Sequence, residues 1–298
     1  LLVLDQSASL VGYEGSKPTD ADFFRVDATS DIVKQLANLG QDNGADINVK
    51  LAGFGSEYYS DPAEYGDWTN VSGKGDALDA ELDKFRQDDR VSDLETNYGA
   101  AYNGALKEFA AREGSNCRSI VFFTDGKYYT DAEANDLKGA QDKLCEPNSS
   151  VTAFRNSNIR LFNVGLVPAA EAQDQISQLT RMAEGDDCGQ GAANGAFFDA
   201  GEEPAALFAA FRNLIPTSGG VTKEGNLKDN FDFVLDDSVS PVRLSAVPKN
   251  SVGEGDLVPT LTGPNGEVVE LTPETTKVAG AKVTVTENDK LPGMVDIA

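Results

Sequence analysis

Two short runs in this chain, Leu1-Leu2-Val3-Leu4 and Ile120-Val121-Phe122-Phe123, carry no polar face at all. A strand of that kind must be buried on both sides, which places it in the middle of a sheet covered by helices above and below. Each run ends on an aspartate, Asp5 and Asp125. Between and beyond them the apolar residues switch to helical spacing. Phe23, Val26, Ile32, Val33, Leu36 and Leu39 line one side of a helix expected over 22–39, with Gly40 where a C-cap belongs. Ala77, Leu78, Leu82 and Phe85 mark a second helix over 76–88, and further helices read at 99–112, 171–183 and 203–214. Additional strands read at 47–55, 67–72, 159–167 and 196–200, the one at 67–72 as an antiparallel neighbour of 47–55. Alternation of this kind predicts an α/β fold: a doubly wound, mostly parallel six-stranded sheet.

The pattern changes after residue 216. Residues 217–226 are rich in turn formers and read as a linker. Over 227–298 the runs FDFVL, PVRLSAV, DLVPTLTG, EVVELT and AKVTVTEN are short and alternating, separated by Gly, Pro and Asn turns such as Pro264-Asn265-Gly266. A small all-β module is expected there, completed by sequence outside this stretch. Residue 1 already lies inside a strand, so an upstream segment is expected too. No apolar run reaches the roughly 18 residues of a membrane helix, so no direct membrane insertion is expected.

Composition narrows the chemistry. Forty-nine acids against 25 bases give a net charge of −24, which repels nucleic acid. The chain has no histidine, which excludes histidine-based nucleophilic triads and histidine-liganded zinc. Cys117, Cys145 and Cys188 are too widely spaced for a zinc motif. One disulfide with a third thiol outside it is expected, its pairing open, and a disulfide suits a secreted protein.

In an open parallel sheet, ligands bind beyond the carboxyl ends of the strands, where strand order reverses. Asp5-Gln6-Ser7-Ala8-Ser9 leaves the first strand there, and Thr124-Asp125-Gly126 leaves the fourth. Glu95-Thr96-Asn97 precedes the helix that feeds that fourth strand, so it starts at the same rim. This ordered set resembles the von Willebrand factor A (vWA) domain and its metal-ion-dependent adhesion site, over about residues 1–216. More loosely, the 127–147 stretch and its neighbouring cysteines resemble secreted vWA proteins of Gram-positive actinobacteria. The resemblance implies that Ser7, Ser9 and Thr96 offer hydroxyl oxygens to a divalent cation, with Asp5 and Asp125 acting through bound water. Magnesium suits such a set, with manganese or calcium as alternatives. An open position would accept a carboxylate from a partner. A recognition rim is expected from Tyr58, Tyr59, Tyr65, Trp68, Asn97, Tyr98, Lys127, Tyr128 and Tyr129.

The expected function is therefore a binding module, extracellular or at the cell surface, for a protein or glycan ligand with an accessible carboxylate. The alternative from the same resemblance is an intracellular scaffold coupled to an ATPase or chelatase-type complex. An enzyme is not expected. Water activation by the ion would need a base; Asp5 and Asp125 would be occupied orienting the ion's waters, which leaves Glu57 and Glu95 as the acids to propose.

Overall fold

The computed structural model describes residues 1–13, 15–87, 93–112, 117–166, 172–201, 206–208, 210, 244–246, 259–278, 280–288 and 294–297. Two compact units divide the chain, Leu1–Leu214 and Ile215–Ala298. The expected strand FDFVL and the 217–226 segment lie outside the described residues, as does most of 203–214.

The two apolar runs form adjacent central strands. β1 (Leu2–Asp5) lies between β3 (Leu51–Phe54) and β6 (Arg118–Thr124), parallel to both. β7 (Ile159–Gly165) and β8 (Ala196–Asp199) continue in parallel, and the antiparallel β4 (Tyr58–Tyr59) closes the opposite edge. The order β4-β3-β1-β6-β7-β8 makes this the expected doubly wound, mostly parallel sheet of six strands. Its strand order reverses at β1 and β6, which is where a ligand crevice belongs.

Alternation along these strands divides the core. Val3, Ala52, Phe54, Ile120 and Phe122 share one apolar cluster with Tyr98, Ala101, Tyr102, Ala105 and Phe109 of α4 (Tyr98–Ala110). Phe122 sits at its centre, stacked on Phe54 at 4.7 Å and meeting Tyr98 edge-on at 5.2 Å. α1 (Phe24–Asn43) and α3 (Asp79–Gln87) pack against each other. α5 (Leu137–Lys143) and α6 (Ser150–Asn156) occupy the stretch before β7, and α7 (Ala172–Glu184) packs on β7 and β8.

Two local expectations are revised. α1 does not stop at Gly40; it runs to Asn43 and is capped by Gly44 in the left-handed region at φ 61°. Gly40 is needed for close approach instead, since a Cβ there would stand 2.5 Å from Ser72 Oγ. The expected antiparallel pairing of 67–72 with 47–55 is found, but outside the main sheet, whose antiparallel edge beside β3 is instead Tyr58–Tyr59. Pro62 starts a one-turn helix, α2 (Pro62–Tyr65), capped by the Asp61 side chain, and this breaks the segment in two. The downstream half, β5 (Thr69–Asn70), pairs with β2 (Asn48–Val49) in a separate two-stranded sheet.

Cys145 and Cys188 form the disulfide, both half-cystines buried, while Cys117 is exposed and outside that bond. The bond joins the segment after α5 to the α7–β8 loop, where Gly189 N also donates to Cys145 O at 2.7 Å.

The second unit shows short antiparallel pairs. Thr260–Thr262 pairs with Val268–Glu270 across the Pro264-Asn265-Gly266 turn, and Lys277–Val278 pairs with Ala281–Lys282. Val295–Ile297 lies between Val285–Glu287 and Leu244–Ala246. Leu271, Val278, Val283, Val285, Val295 and Ile297 make its core.

Two outcomes test this packing. Gly104 lies against the Tyr58 ring with no room for a Cβ, so Gly104→Ala should cost about 1–3 kcal/mol in urea unfolding. Cys145→Ser with Cys188→Ser, which opens a loop of sequence separation 43, should cost about 2–4 kcal/mol by the same measurement.

Candidate metal centre

β1 and β6 run side by side, with Leu4 opposite Phe123, so Asp5 and Thr124 emerge as neighbours. Thr124 Oγ1 donates to Asp5 Oδ2 at 2.6 Å, and Ser7 N donates to Asp5 Oδ1 at 2.7 Å. Asp5 is thus fully engaged and fully buried. Beyond it, a short 3-10 turn over Ala8–Leu10 brings the two serines together, Ser7 Oγ lying 3.1 Å from Ser9 Oγ. Ser9 Oγ in turn donates to Asp125 Oδ1 at 3.0 Å. Thr96 arrives from the loop before α4. Its backbone pairs with Tyr129 in both directions, which fastens it to the segment just after Asp125.

Gly126 shows how closely these loops converge. A Cβ added there would stand 3.1 Å from Thr96 Oγ1 and 3.8 Å from Ser9 Oγ. Two hydroxyls from different loops therefore face one small space beside Asp125, and glycine is what keeps it clear. The Gly126 carbonyl is held from behind, accepting from Tyr98 Oη and from Gln175 Nε2, each at 2.5 Å. Asp93 ties in the remaining loop: its carbonyl accepts from Ala8 N, and its carboxylate accepts from Ser56 N, both at 2.9 Å.

Electrostatics give this space a sign. Burial raises Asp5 above the ordinary carboxylate value, against the pull of its Ser7 and Thr124 hydrogen bonds. Burial, and then the charge of Asp5, push Asp125 up to about 8, against hydrogen bonds from Thr19 and Ser9. Burial outweighs the charge of Arg25, which lowers both acids, and a divalent ion would supply further positive charge. The donors facing the space are hydroxyl and carboxylate oxygens, the set a small hard cation takes. Among the described residues no group of three His, Cys, Asp or Glu side chains is placed to hold a metal, so a cation here would rely on hydroxyls.

A model of the von Willebrand factor type A domain matches residues 1–206. The chain belongs to the von Willebrand factor type A domain family. Members of that family commonly bind a divalent metal. No curated protein sequence matches the chain. Among solved structures, it is similar to a von Willebrand factor type A protein from Catenulispora acidiphila, with 13% identity and a TM-score of 0.43. That match covers 72% of this chain and 40% of the other. It is also similar to the pilus adhesin SpaC from Lactobacillus rhamnosus GG, at 16% identity and a TM-score of 0.46, over 71% of this chain and 29% of that one. A third is the manganese-loaded Plasmodium vivax TRAP protein, at 16% identity and a TM-score of 0.38, covering 66% of this chain and 67% of the other. The chain thus spans less than half the length of the first two, and likenesses this remote say nothing of ligand or location.

The rim expected around the vWA site is smaller than the sequence suggests. Tyr65 is buried against Phe85, ring centres 5.0 Å apart, because α2 turns it inward. Tyr98 is a core residue, its hydroxyl spent on Gly126, and Tyr128 is buried against it at 5.6 Å with its hydroxyl on Glu133. Tyr58 packs its ring on Gly104 and the core. Trp68 is at the other end of the sheet, 5.6 Å from Phe109 in the last turn of α4 and beneath Arg112 at 4.6 Å. Asn97 caps α4 by accepting from Ala100 N at 3.0 Å. Tyr59 is half-buried and donates to Asp93. Lys127 is exposed, and Tyr129 is half-buried with its hydroxyl on Asp131 at 3.1 Å. Two participants went unread in the sequence: Asp93, and Thr19, which donates to Asp125 Oδ2. Thr19 lies 106 positions from its partner, and no local spacing joins them.

The raised Asp125 sets a pH dependence. Between its ordinary 3.8 and about 8, the metal-free native state holds a proton that the unfolded chain has released, so metal-free stability falls as pH rises through that window. A cation must displace that proton, so its binding strengthens over the same range. The increase in Tm on adding magnesium should be larger at about pH 9 than at about pH 6, and Asp125→Asn should remove the difference. A magnesium shift independent of pH would contradict the assignment.

Proposed function

We propose that the vWA domain is a metal-dependent binding module. Ser7, Ser9 and Thr96 would hold a magnesium ion through their hydroxyls, with Asp5 and Asp125 behind them. The observation that carries this reading is the convergence of Ser9 Oγ and Thr96 Oγ1, both within 4 Å of one point beside Gly126 and backed by the two buried carboxylates. An ion coordinated largely by neutral oxygens stays electron-poor and attracts an anionic oxygen. A carboxylate on a protein or glycan partner is the ligand it suits, and the half-buried or exposed Tyr129 and Lys127 lie beside it in the chain.

An extracellular or surface location fits the Cys145–Cys188 disulfide, which an oxidising compartment preserves. Among the described residues, no helix is long and apolar enough to cross a membrane. The net charge of −24 disfavours nucleic acid as a partner. Binding rather than catalysis is favoured by the engagement of the nearby groups. Asp5 takes Thr124 and Ser7, and Glu95 Oε1 accepts from Asp131 N at 3.0 Å.

The test is a protein and glycan array probed in magnesium and in EDTA, with Asp5→Ala alongside. Partner capture should vanish in EDTA and in the variant, while circular dichroism stays native. Capture that survives both treatments would sink the proposal.

A further inference from the structure

The β1–α1 loop leaves Ser9 and comes back to it. Thr19, ten positions on, donates through Oγ1 to Asp125 Oδ2, and the same oxygen lies 3.2 Å from Ser9 O. Thr19 N also approaches Ser9 O, at 3.3 Å. The hydroxyl has one proton, and once Asp125 is ionised its carboxylate is the stronger acceptor. Since Ser9 Oγ occupies Oδ1 at 3.0 Å, each oxygen of Asp125 then carries its own hydroxyl donor from the same loop. A carboxylate gripped at both oxygens cannot rotate freely.

The position of Thr19 is itself fixed from below. Its neighbour Asp20 is buried, donates its backbone N–H to Leu10 O at 2.9 Å, and pairs with Arg25 Nη1 at 2.7 Å. The other arm of Arg25 donates to Gln6 Oε1 at 2.6 Å, and Gln6 adjoins Asp5. Asp20 and Arg25 side chains are only 1% and 2% exposed, so this ion pair is dry and its partners are not exchanged for water. Between the two ends the chain turns tightly at Gly12, φ 88°, where a Cβ would stand 2.8 Å from Ser16 O. A loop anchored in the core, with its last hydroxyl delivered to Asp125, is a device for aiming that carboxylate.

We infer that Thr19 is a positioning residue of the metal centre, fixing the Asp125 carboxylate toward the space between Ser9 and Thr96. The inference rests on the metal reading above and extends it to a residue outside the five-residue ligand pattern. Groups that orient metal-site carboxylates typically change metal affinity by about 10- to 100-fold when removed.

Magnesium calorimetry on the full chain tests it, with wild type, Thr19→Val, Thr19→Ala, Thr19→Ser and Asp5→Ala. Valine keeps the shape and deletes the hydroxyl; alanine provides a second deletion should valine disturb folding. Both deletions should weaken magnesium binding by about 10- to 100-fold, and serine should restore it to within about threefold. A merely structural role would not be rescued in affinity by serine once all variants are matched for folded fraction by near-ultraviolet circular dichroism. Wild-type affinity in a folded deletion variant would overturn the role of Thr19 while leaving the metal centre standing. Absence of magnesium heat in the wild type, matching Asp5→Ala, would overturn the metal reading and the role of Thr19 together.

Discussion

Two aspartates at the ends of adjacent parallel strands, both withdrawn from water, impose the central constraint on this molecule. Like charges in a medium of low polarisability repel strongly, so the pair must share a proton or face a cation. Every nearby element serves that problem. Thr124 and Ser7 satisfy Asp5, Ser9 and Thr19 satisfy Asp125, and the hydroxyl of Thr96 is brought to the same space from a third loop. The sheet supplies the cause, because β1 and β6 are neighbours on either side of the point where strand order reverses.

The loops that carry these groups are tied to one another as well as to the sheet. Thr96 pairs with Tyr129 through the backbone, Asp93 links Ala8 to Ser56, and Tyr98 with Gln175 clamps the Gly126 carbonyl. Such cross-bracing holds oxygen atoms at fixed separations, which a small ion needs because it tolerates little variation in ligand distance. It also accounts for the loss of several rim tyrosines to the interior. Tyr98 and Tyr128 contribute their rings to the core, and the Tyr98 hydroxyl braces Gly126 at the site while that of Tyr128 is spent on Glu133.

Much of this was legible in the residues. The apolar runs ending at Asp5 and Asp125 could only be central strands, and Asp5-x-Ser7-x-Ser9 with Thr96 and Asp125 forms a recognisable ordered set. Tyr98 was legible in retrospect, since Tyr98, Tyr102, Ala105 and Phe109 follow helical spacing on one face of α4. Trp68 was misplaced because a single turn of helix begun at Pro62 divides the edge segment, and the sheet pairing of each half depends on that break. The pairing of Cys145 with Cys188 rather than Cys117 depends on how the α7–β8 loop crosses the end of α5, which cysteine spacing does not encode.

The sequence by itself determined the layer architecture and the identity of the oxygen donors at the strand ends, because burial on both faces and helical periodicity are local properties that each segment carries alone. Only the tertiary structure decided which side chains share one space. Thr19 meeting Asp125, Gly126 leaving room between Ser9 and Thr96, and Tyr65 and Trp68 turning away are consequences of long-range packing. Contacts between residues a hundred positions apart are set by how strands order themselves and how loops close, and those are properties of the whole assembled sheet.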